Sequence, residues 1–594
     1  MNSATETLPG WLEWLSRLFT PKAEADDGDP LQFSSYLPYR GWDDETQLFI
    51  LSNQVGFCVE LAPQSGSDQS MADILEGLMH NWPVGTGIQF HLFGTPHIYR
   101  KLTQYANLRA PDSDIKERSD QEGRPVRNQN IFRTLARRRV EHLAKAAHES
   151  LTRGNVYMLR DFRLVISVTA PIRFNERARV AELLKARAGM ETTLRGAGFP
   201  SRVWDAADLV NWCADFCNPH RLHSELPLLN YDGGRLLNAQ MVDFDTLQQE
   251  HSRGIRFSNA RHEDKAVEMR AYAVKGYPER FSLGRMGAMI GDLSQAALQY
   301  PCPFLITMGV HFPDPSGTKA NVAMNQARAT QNAQSKMAGL MPDVADKKAD
   351  WDEALRVVDG GGGLVKIFHT LTLFPTEDFA STAEKAAESI WRDQGFELCH
   401  MTHIHRTMLL ASLPMSLNPG MFKLLTRFKI PSTKSYQNAV ALAPMIGEWR
   451  GTQTPTLIFG GRRGQLISWI STTTRWAATA SPSSARSVPA NRFGSTRSPG
   501  AISVPAPRSG NSTWAGPSSA SPRRPGASSW IFAPVPGCVL IPSAMWSASP
   551  TTWTCCRPSP PRWPRPSPTW RPSSTRRSAR SSSASGTRRA TPWR

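Results

Sequence analysis

The sequence lacks the features that define membrane, secreted and disulfide-rich proteins. No run of about 18 apolar residues occurs in its 594 residues, so no membrane-spanning helix is predicted. The amino terminus has no basic start followed by an apolar stretch, so no signal peptide is predicted. Five of the eight cysteines precede Trp469, and their odd number and irregular spacing argue against a disulfide framework and fit a reducing compartment. We therefore expect a cytoplasmic protein.

The last fifth of the chain lacks six residue types. Residues 470–594 contain no Lys, Asp, Glu, His, Gln or Tyr, although they hold 17 Arg. The formal charge of +18 belongs to this tail, because residues 1–469 contain 52 basic and 51 acidic residues. A nearly neutral first part excludes a nucleic-acid binder that spreads its positive charge over the whole chain.

Residues 1–30 are predicted to be an amphipathic extension and a linker. Apolar residues recur there at helical spacing, namely Trp11, Leu12, Trp14, Leu15, Leu18 and Phe19. A stripe with two tryptophans fits a membrane interface or a helix docked on its own domain or on a partner, and we favour docking. The stretch PKAEADDGDP that follows is typical of a linker.

Short β-type runs alternate with helical runs over residues 31–469, which predicts an α/β fold with an α+β amino-terminal region. The runs FRLVISVTA and PFLITMGVHF are typical of buried strands, and residues 175–196 of an amphipathic helix that ends at a glycine. We divide this part of the chain into a first domain, 31–300, and a second α/β part, 301–469.

Two short motifs have structural explanations that we prefer to functional ones. The run Gly360–Gly363 follows a helix and precedes a strand, whereas a phosphate loop follows a strand and opens a helix, so a tight turn is predicted. Cys213 and Cys217 lie one helical turn apart without a second ligand pair, which favours packing on a helix face over zinc binding.

A group of histidines and a basic helix also have structural explanations that we prefer. On a strand, His403 and His405 would share one face close to His400, an arrangement that could bind a metal. No further ligand is fixed beside them by the sequence, so polar residues near a strand edge are favoured. The basic helix LARRRVEHLAKAAHES is predicted to present its arginines to solvent rather than to nucleic acid.

Three segments, taken in order, resemble one family. PFLITMGVHF and GFELCHMTHIHRTMLLASLPMSLNPG are followed by AVALAPMIGEWRGTQTPTLIFGGRRGQLISW. Together they resemble the conjugative-transfer ATPases of type IV secretion, the TraC-type pilus-assembly family, in the version carried by integrative conjugative elements. The likeness covers residues 30–469. It implies a large amino-terminal α/β domain followed by a RecA-like motor that uses ATP and Mg²⁺.

The resemblance also implies partners. It predicts homo-oligomers, commonly hexamers, that lie at the inner-membrane periphery on channel components of the secretion system. We predict no direct nucleic-acid partner. In the family, the GQLISW strand leads into a phosphate loop, G-x-x-x-x-G-K-[ST], whose backbone and lysine bind the phosphates. This chain has no such motif. We therefore assign it no catalytic, ATP-binding or metal residue and predict that it is inactive as an ATPase.

A change of reading frame after Trp469 explains the composition of the tail. If one nucleotide is lost there, codons for ISTTTRWAAT restore DFYDNPLGGN, and those for TTWTCCRPSPPRWPRPS restore DDMDMLQAVTAKMASPV. The intervening ASPSSARSVPANRFGST restores CLAVVGPFGAGKSVRLN, which contains a phosphate loop overlying Ala485 to Arg492. In that frame Ala490 allows only Gly, Ser, Cys or Arg, and Asn491 only Lys, Gln or Glu. We therefore predict that residues 470–594 are a missense, disordered tail.

Two other functions remain open. One is a basic tail that binds nucleic acid on purpose, since 17 Arg and eight Trp offer charge and stacking. The other is a non-enzymatic scaffold of the secretion complex, made without a motor.

Overall fold

A computed structural model describes residues 32–470 except 109–130, 154–155, 262–265, 293–294, 296–297, 335–342 and 453. Two groups of predicted site residues lie outside the described residues: the stripe of Trp11, Trp14, Leu15, Leu18 and Phe19, and the tail positions Ala485, Ala490, Asn491 and Arg492.

Fifteen strands occur in the described part of the chain. They are β1 (Tyr39–Asp43), β2 (Leu48–Leu51), β3 (Val55–Leu61), β4 (Gly87–Thr95), β5 (Asp161–Ala170), β6 (Ser201–Val203), β7 (Thr246–His251), β8 (Gly254–Asn259), β9 (Val267–Gly276), β10 (Phe304–His311), β11 (Leu364–Leu373), β12 (Glu397–His400), β13 (Ser432–Ser435), β14 (Leu457–Gly460) and β15 (Leu466–Trp469).

Twelve α-helices accompany these strands within the same ranges. They are α1 (Gln69–Glu76), α2 (Tyr99–Asn107), α3 (Ile131–Lys145), α4 (Arg177–Gly196), α5 (Ala206–Cys217), α6 (Leu237–Gln240), α7 (Pro315–Gln334), α8 (Asp343–Asp359), α9 (Ala380–Asp393), α10 (His405–Ser412), α11 (Pro419–Arg427) and α12 (Tyr436–Ala441). The 3₁₀ helices are Phe33–Tyr36, Gly77–Met79, Pro219–His223, Leu283–Ile290 and Glu377–Phe379.

Thirteen of the strands form one sheet, and every strand pair in it is antiparallel. Its order is β1-β2-β3-β5-β4-β10-β11-β9-β8-β7, with β6 beside β3, β12 beside β9 and β13 beside β11. Strands β14 and β15 form a separate hairpin. The predicted mixture of helices and strands is confirmed, and the antiparallel pairing makes the sheet one of the α+β type.

The two halves of the sheet repeat one topology. From edge to centre, the orders β1-β2-β3-β5-β4 and β7-β8-β9-β11-β10 are the same, and β6 and β12 each lie beside the third strand of their half. The helices follow the repeat: α2 and α3 correspond to α7 and α8, α4 to α9, and α5 to α10. The halves join where β4 pairs with β10, from Gly87 opposite His311 to Gly94 opposite Phe304.

The predicted division at residue 300 falls inside this sheet. It lies between β9 and β10, within the second half of the repeat. Because β10 pairs with β4 on one side and with β11 on the other, residues 31–300 and 301–469 contribute neighbouring strands to one sheet.

Helices cover both faces of the sheet. On one face, α1, α4, α9 and α12 pack on alternate strand residues such as Phe90 and Ile166. On the other face, α5, α10 and α11 pack on residues such as Phe93 and Val165. Since successive strand residues point to opposite faces, every residue of β4 and β10 is buried.

Glycines at the centre of the sheet make room for rings from the next strand. A Cβ on Gly309 of β10 would collide with the ring of Phe368 on β11. We expect Gly309→Ala to lower the free energy of unfolding by about 1–3 kcal/mol, the usual cost of overpacking, measured by urea denaturation. The control is Gly189→Ala in α4, where an added Cβ meets no atom within 4 Å. Equal stability of the two variants would contradict the expectation.

Candidate functional site

The hairpin of β14 and β15 is attached to the first half of the sheet through a small apolar core. Leu457 pairs with Trp469 at its open end, and Gly464 lies in its turn at a φ of 93°, which favours glycine. Ile458 and Leu466 are buried against side chains of α2 and α3. The GQLISW strand that the sequence singled out is therefore a packed element.

Backbone hydrogen bonds fix the position of the hairpin. The Arg160 N–H donates to the Gly464 carbonyl at 2.8 Å, and the Leu466 N–H donates to the Arg160 carbonyl at 2.9 Å. The Tyr157 hydroxyl donates to the Gly461 carbonyl at 2.8 Å. Residues just before β5 thus hold both the turn and the second strand of the hairpin.

Asp161, the first residue of β5, is the centre of a buried ionic cluster. Arg450 donates to its carboxylate from Nε at 3.0 Å and from Nη2 at 2.7 Å. Lys101 Nζ donates at 2.7 Å and Gln465 Nε2 at 3.0 Å. Burial alone would raise the pKa of Asp161, but Arg450 and Lys101 outweigh it and hold the pKa well below its usual range. The ionised carboxylate ties α2 and the hairpin to the sheet.

Glu60 on β3 forms the other half of the cluster. Arg163 donates to its carboxylate from Nε at 3.0 Å and from Nη2 at 3.1 Å. Arg202 Nη2 donates at 2.9 Å and the Trp204 indole at 3.1 Å. Arg450 Nη1 lies 3.7 Å from Glu60 Oε1, so this guanidinium lies between two carboxylates. Burial would raise the pKa of Glu60, but its arginine neighbours lower it well below its usual range.

Glu448 holds the turn of the hairpin. Its carboxylate accepts hydrogen bonds from the backbone N–H groups of Arg463, at 2.9 Å, and of Gln465, at 3.2 Å. Burial raises the pKa of Glu448 in spite of these two donors. A Cβ on Gly461 would collide with this carboxylate, which explains the glycine. The stretches GEWRG and GGRRGQ therefore contact each other directly.

We call the following residues the ionic junction: Glu60, Lys101, Asp161, Arg163, Arg450 and Gln465. Both carboxylates in it are ionised and surrounded by donors. Such groups are poor proton acceptors, so the arrangement is better suited to positioning a strand pair than to acid–base chemistry.

The predicted structural roles of the cysteines and the glycine run are confirmed. Cys213 and Cys217 lie on one face of α5 in the apolar core, and burial raises the pKa of the Cys213 thiol to about 12. Gly360–Gly363 join α8 to β11, with Gly361 at a φ of 80°.

The basic helix α3 is exposed along its arginines, as predicted. Arg137 and Arg138 face solvent. Arg139 also donates from Nη2 to the Ile458 carbonyl at 2.8 Å, so one cation of this helix supports the hairpin.

The alternative in which His403 and His405 share a strand face does not occur. Strand β12 ends at His400, His403 lies in a turn at a φ of 62°, and His405 opens α10. The rings of His400 and His405 lie 5.2 Å apart, and their Nε2 atoms hydrogen-bond the carbonyls of Arg253 and Ser252. In the described residues, no group of three or more His, Cys, Asp or Glu side chains could hold a metal.

Glu60, Asp161 and Arg163 are functional candidates that sequence reasoning missed. All three lie in runs that are otherwise apolar, VGFCVELAP and DFRLVISVTA. A charge inside a buried strand needs a partner, so these runs carried a signal that a buried ion cluster exists. They carried no information about Arg450, which lies far away in the chain.

The fold and the junction define a class of protein: a duplicated antiparallel α+β module that anchors a hairpin by buried ions. Among the described helices, none is both long and apolar enough to cross a membrane.

Comparison with known proteins identifies the family. The family model described as TraC protein matches residues 33–417. The chain is 24% identical over 430 residues to Protein TraC of Escherichia coli strain K12, which covers 70% of this chain and 47% of that protein. The chain thus spans about half the length of this curated relative. It belongs to the TraC protein family and is a TraC-type conjugative transfer protein.

Arg450 is the residue whose loss should disturb the junction most. We expect Arg450→Met to lower the free energy of unfolding by about 3–5 kcal/mol, because it leaves Asp161 buried with half of its positive partners. Urea denaturation measures this loss, and Arg462→Met, at an exposed position of the hairpin turn, is the control. If both variants unfold alike, Arg450 does not hold the junction.

Acid should weaken the junction. The pKa values of Asp161 and Glu60 are lower in the folded state than in the unfolded state, so both carboxylates stabilise the fold. This contribution is fully present above about pH 5, which lies above their unfolded pKa values of about 3.9 and 4.3. This stability is lost as pH falls toward the folded pKa values, because the unfolded state binds protons first. We expect the urea midpoint to fall steeply below pH 5, and Asp161→Asn to flatten that slope. Glu182→Gln, at an exposed position of α4, should leave the slope unchanged.

Proposed function

We propose that this protein is a component of a type IV conjugative transfer machine whose parent form couples the α+β module to an ATP-hydrolysing motor. The observation that carries the proposal is the ionic junction, which anchors the GQLISW hairpin to the module. In the resembling family this strand precedes the phosphate loop. A motor that starts there would be connected to the sheet through a fixed strand pair.

The residues of this chain do not fit ATP and Mg²⁺. No G-x-x-x-x-G-K-[ST] sequence occurs in it, and the glycine run Gly360–Gly363 lies in a helix-to-strand turn. No nucleotide step is therefore assigned to the chain, and we propose that it neither binds nor hydrolyses ATP. The frame change after Trp469 accounts for the missing loop, since the restored reading has a phosphate loop shortly after the hairpin.

The proposal includes the surroundings of the protein. We place it on the cytoplasmic side at the inner-membrane periphery, in homo-oligomers, with channel components of the secretion system as partners. The family resemblance supports these assignments. A non-enzymatic scaffold is the second candidate function, favoured by the fact that the described module and its hairpin form a packed unit without a motor.

Restoring the frame tests the proposal. We expect the chain to release no phosphate from ATP in a saturable manner, whereas a gene with one nucleotide inserted after codon 469 should encode a saturable ATPase. The control is the repaired gene in which the lysine that replaces Asn491 is changed to alanine, because this lysine would bind the β- and γ-phosphates. Saturable hydrolysis by the unrepaired chain would contradict the proposal.

Sequencing the source DNA across codons 464–500 separates two origins of the tail. If a single base restores LISWDFYDN and GPFGAGKS, the parent is an ATPase and this chain is a sequencing error or a decayed copy. An unchanged sequence whose coding bias continues in the present frame to codon 594 would refute the frame change. The Arg-rich tail would then need a function of its own, and DNA binding that falls steeply with salt would identify it.

A further inference from the structure

A cavity of about 810 Å³ opens beside the edge strand β1. Its walls come from the residues around β1, from the turn after β2, and from α11 with the residues before it. Leu37, Leu51 and Leu424 give it an apolar part. Volumes of this size are typical of sites for small molecules. No residue of the ionic junction lines it, so it is a separate place in the molecule.

The charged side chains in the wall of this cavity are all positive. They are Arg40, Lys423 and Arg427, and no carboxylate lines the cavity in the part of the chain that the structure describes. Like charges gathered in one wall repel each other, which costs free energy that an anion would recover. The wall is therefore suited to a ligand with more than one negative charge.

The backbone directs Arg40 into this wall. Tyr39 pairs with Leu51 and Gly41 pairs with Ile50, so Arg40 is the extra residue of a β-bulge. Bulges re-aim side chains and are frequent next to binding sites. Without the bulge, β1 would alternate strictly, and the Arg40 side chain would have to point to the face opposite that of Tyr39.

The amino end of α11 adds to the positive potential. Pro419 and Gly420, its first two residues, line the cavity, and the Asn418 side chain caps the Met421 N–H at 2.8 Å. The amino end of a helix carries partial positive charge.

Gln54 supplies an unused amide. The residue is 8% exposed and lines the cavity, yet its side chain makes no hydrogen bond to the described residues. By contrast, the buried Gln89 donates to the Ala411 carbonyl and accepts from the N–H groups of Ser416 and Leu417. The Gln54 amide lines the cavity and uses none of its hydrogen-bonding capacity on the described residues, so it can bind something that enters the cavity.

We propose that this cavity binds a phosphate-bearing anion with an adjoining apolar group. Its oxygens accept hydrogen bonds from Arg40, Lys423 and the Gln54 amide, and the apolar group contacts the leucine side of the wall. A soluble phosphate ester and a phospholipid headgroup share this chemistry. The site consists of described residues alone and does not depend on the restored motor.

The test must be local, because 17 arginines after Trp469 will bind polyanions by themselves. We would follow amide hydrogen exchange of the full chain in peptides covering 35–54 and 416–427. The probes are pyrophosphate, and vesicles of phosphatidylcholine with or without phosphatidylglycerol. Slower exchange of these peptides with pyrophosphate supports a soluble ligand, and slower exchange only with phosphatidylglycerol vesicles supports a headgroup. Unchanged exchange with every probe would overturn the proposal.

Variants establish which residues bind. The double variant with Arg40→Gln and Lys423→Gln should raise the probe concentration needed for half-maximal protection at least about tenfold. This is the usual effect of a lost charged hydrogen bond. Lys185→Gln with Arg195→Gln, two exposed cations of α4, is the control with equal charge change. A shift of the same size in the control would assign the binding to delocalised charge and overturn the site.

Gln54→Leu separates a ligand-binding amide from a structural one. Because this amide has no hydrogen bond to the described residues, we expect weaker protection by the anion without a lower urea midpoint. A lower urea midpoint with unchanged protection would make Gln54 structural and contradict its role. A further variant changes the acidic residues of 24–29 to amides. If protection by the probe appears only in this variant, the cavity belongs to the chain's own linker and the proposal is overturned.

Discussion

The carboxylate of Asp161 can be buried at the start of β5 only because cations meet it there. A lone charge in the interior would cost several kcal/mol, so the interaction requires Arg450 and Lys101 to be in place. Arg450 lies 289 residues further along the chain. This single requirement joins an early strand to a late segment, and with that segment it fixes the hairpin of β14 and β15.

The same requirement distinguishes the two halves of the repeat. Where β5 begins with Asp161, its counterpart β11 begins with Leu364 and Val365, which are apolar and buried. The duplicated topology gives both halves the same strands and helices, but this charged position belongs to the first half. A hairpin that depends on the carboxylate can therefore be held at one place on a sheet whose two halves have the same strand order. This asymmetry fixes the place at which the chain leaves the module after the hairpin.

Local periodicity accounts for what the sequence predicted well. FRLVISVTA became β5, PFLITMGVHF became β10, and the helix expected over 175–196 became Arg177–Gly196, because each pattern depends on neighbours within a few residues. Strand order could not be predicted, since β4 finds its partner β10 more than two hundred residues away. The arrangement of the histidines differs for a local reason: the strand ends at His400, and His403 adopts a positive φ in the turn that follows.

The ionic junction could not be predicted from the sequence for a different reason. Glu60, Asp161 and Arg163 stood out as charges in apolar runs, but partner choice depends on three-dimensional distance, and Arg450 lies in a stretch without clear periodicity. Electrostatic clusters of this kind are assembled by topology. They become visible only when the sheet order is known.

All charged partners of the junction precede Trp469, so the proposed frame change leaves its energetics intact. Arg450 and Gln465 still meet Asp161, and the hairpin remains anchored.

What changes is the outer side of the hairpin. Leu457 and Trp469 pair across the two strands, the Trp449 ring lies 6.0 Å from that of Trp469, and these three side chains are 40–41% exposed. Adjacent exposed apolar side chains are typical of a surface that packs against something else. Under the proposed frame change, the parent protein has a following motor to cover this surface, whereas in this chain the motor sequence is replaced by a tail rich in Arg, Ser and Pro. The module would then keep its fold but lack the motor that follows the hairpin in the parent protein.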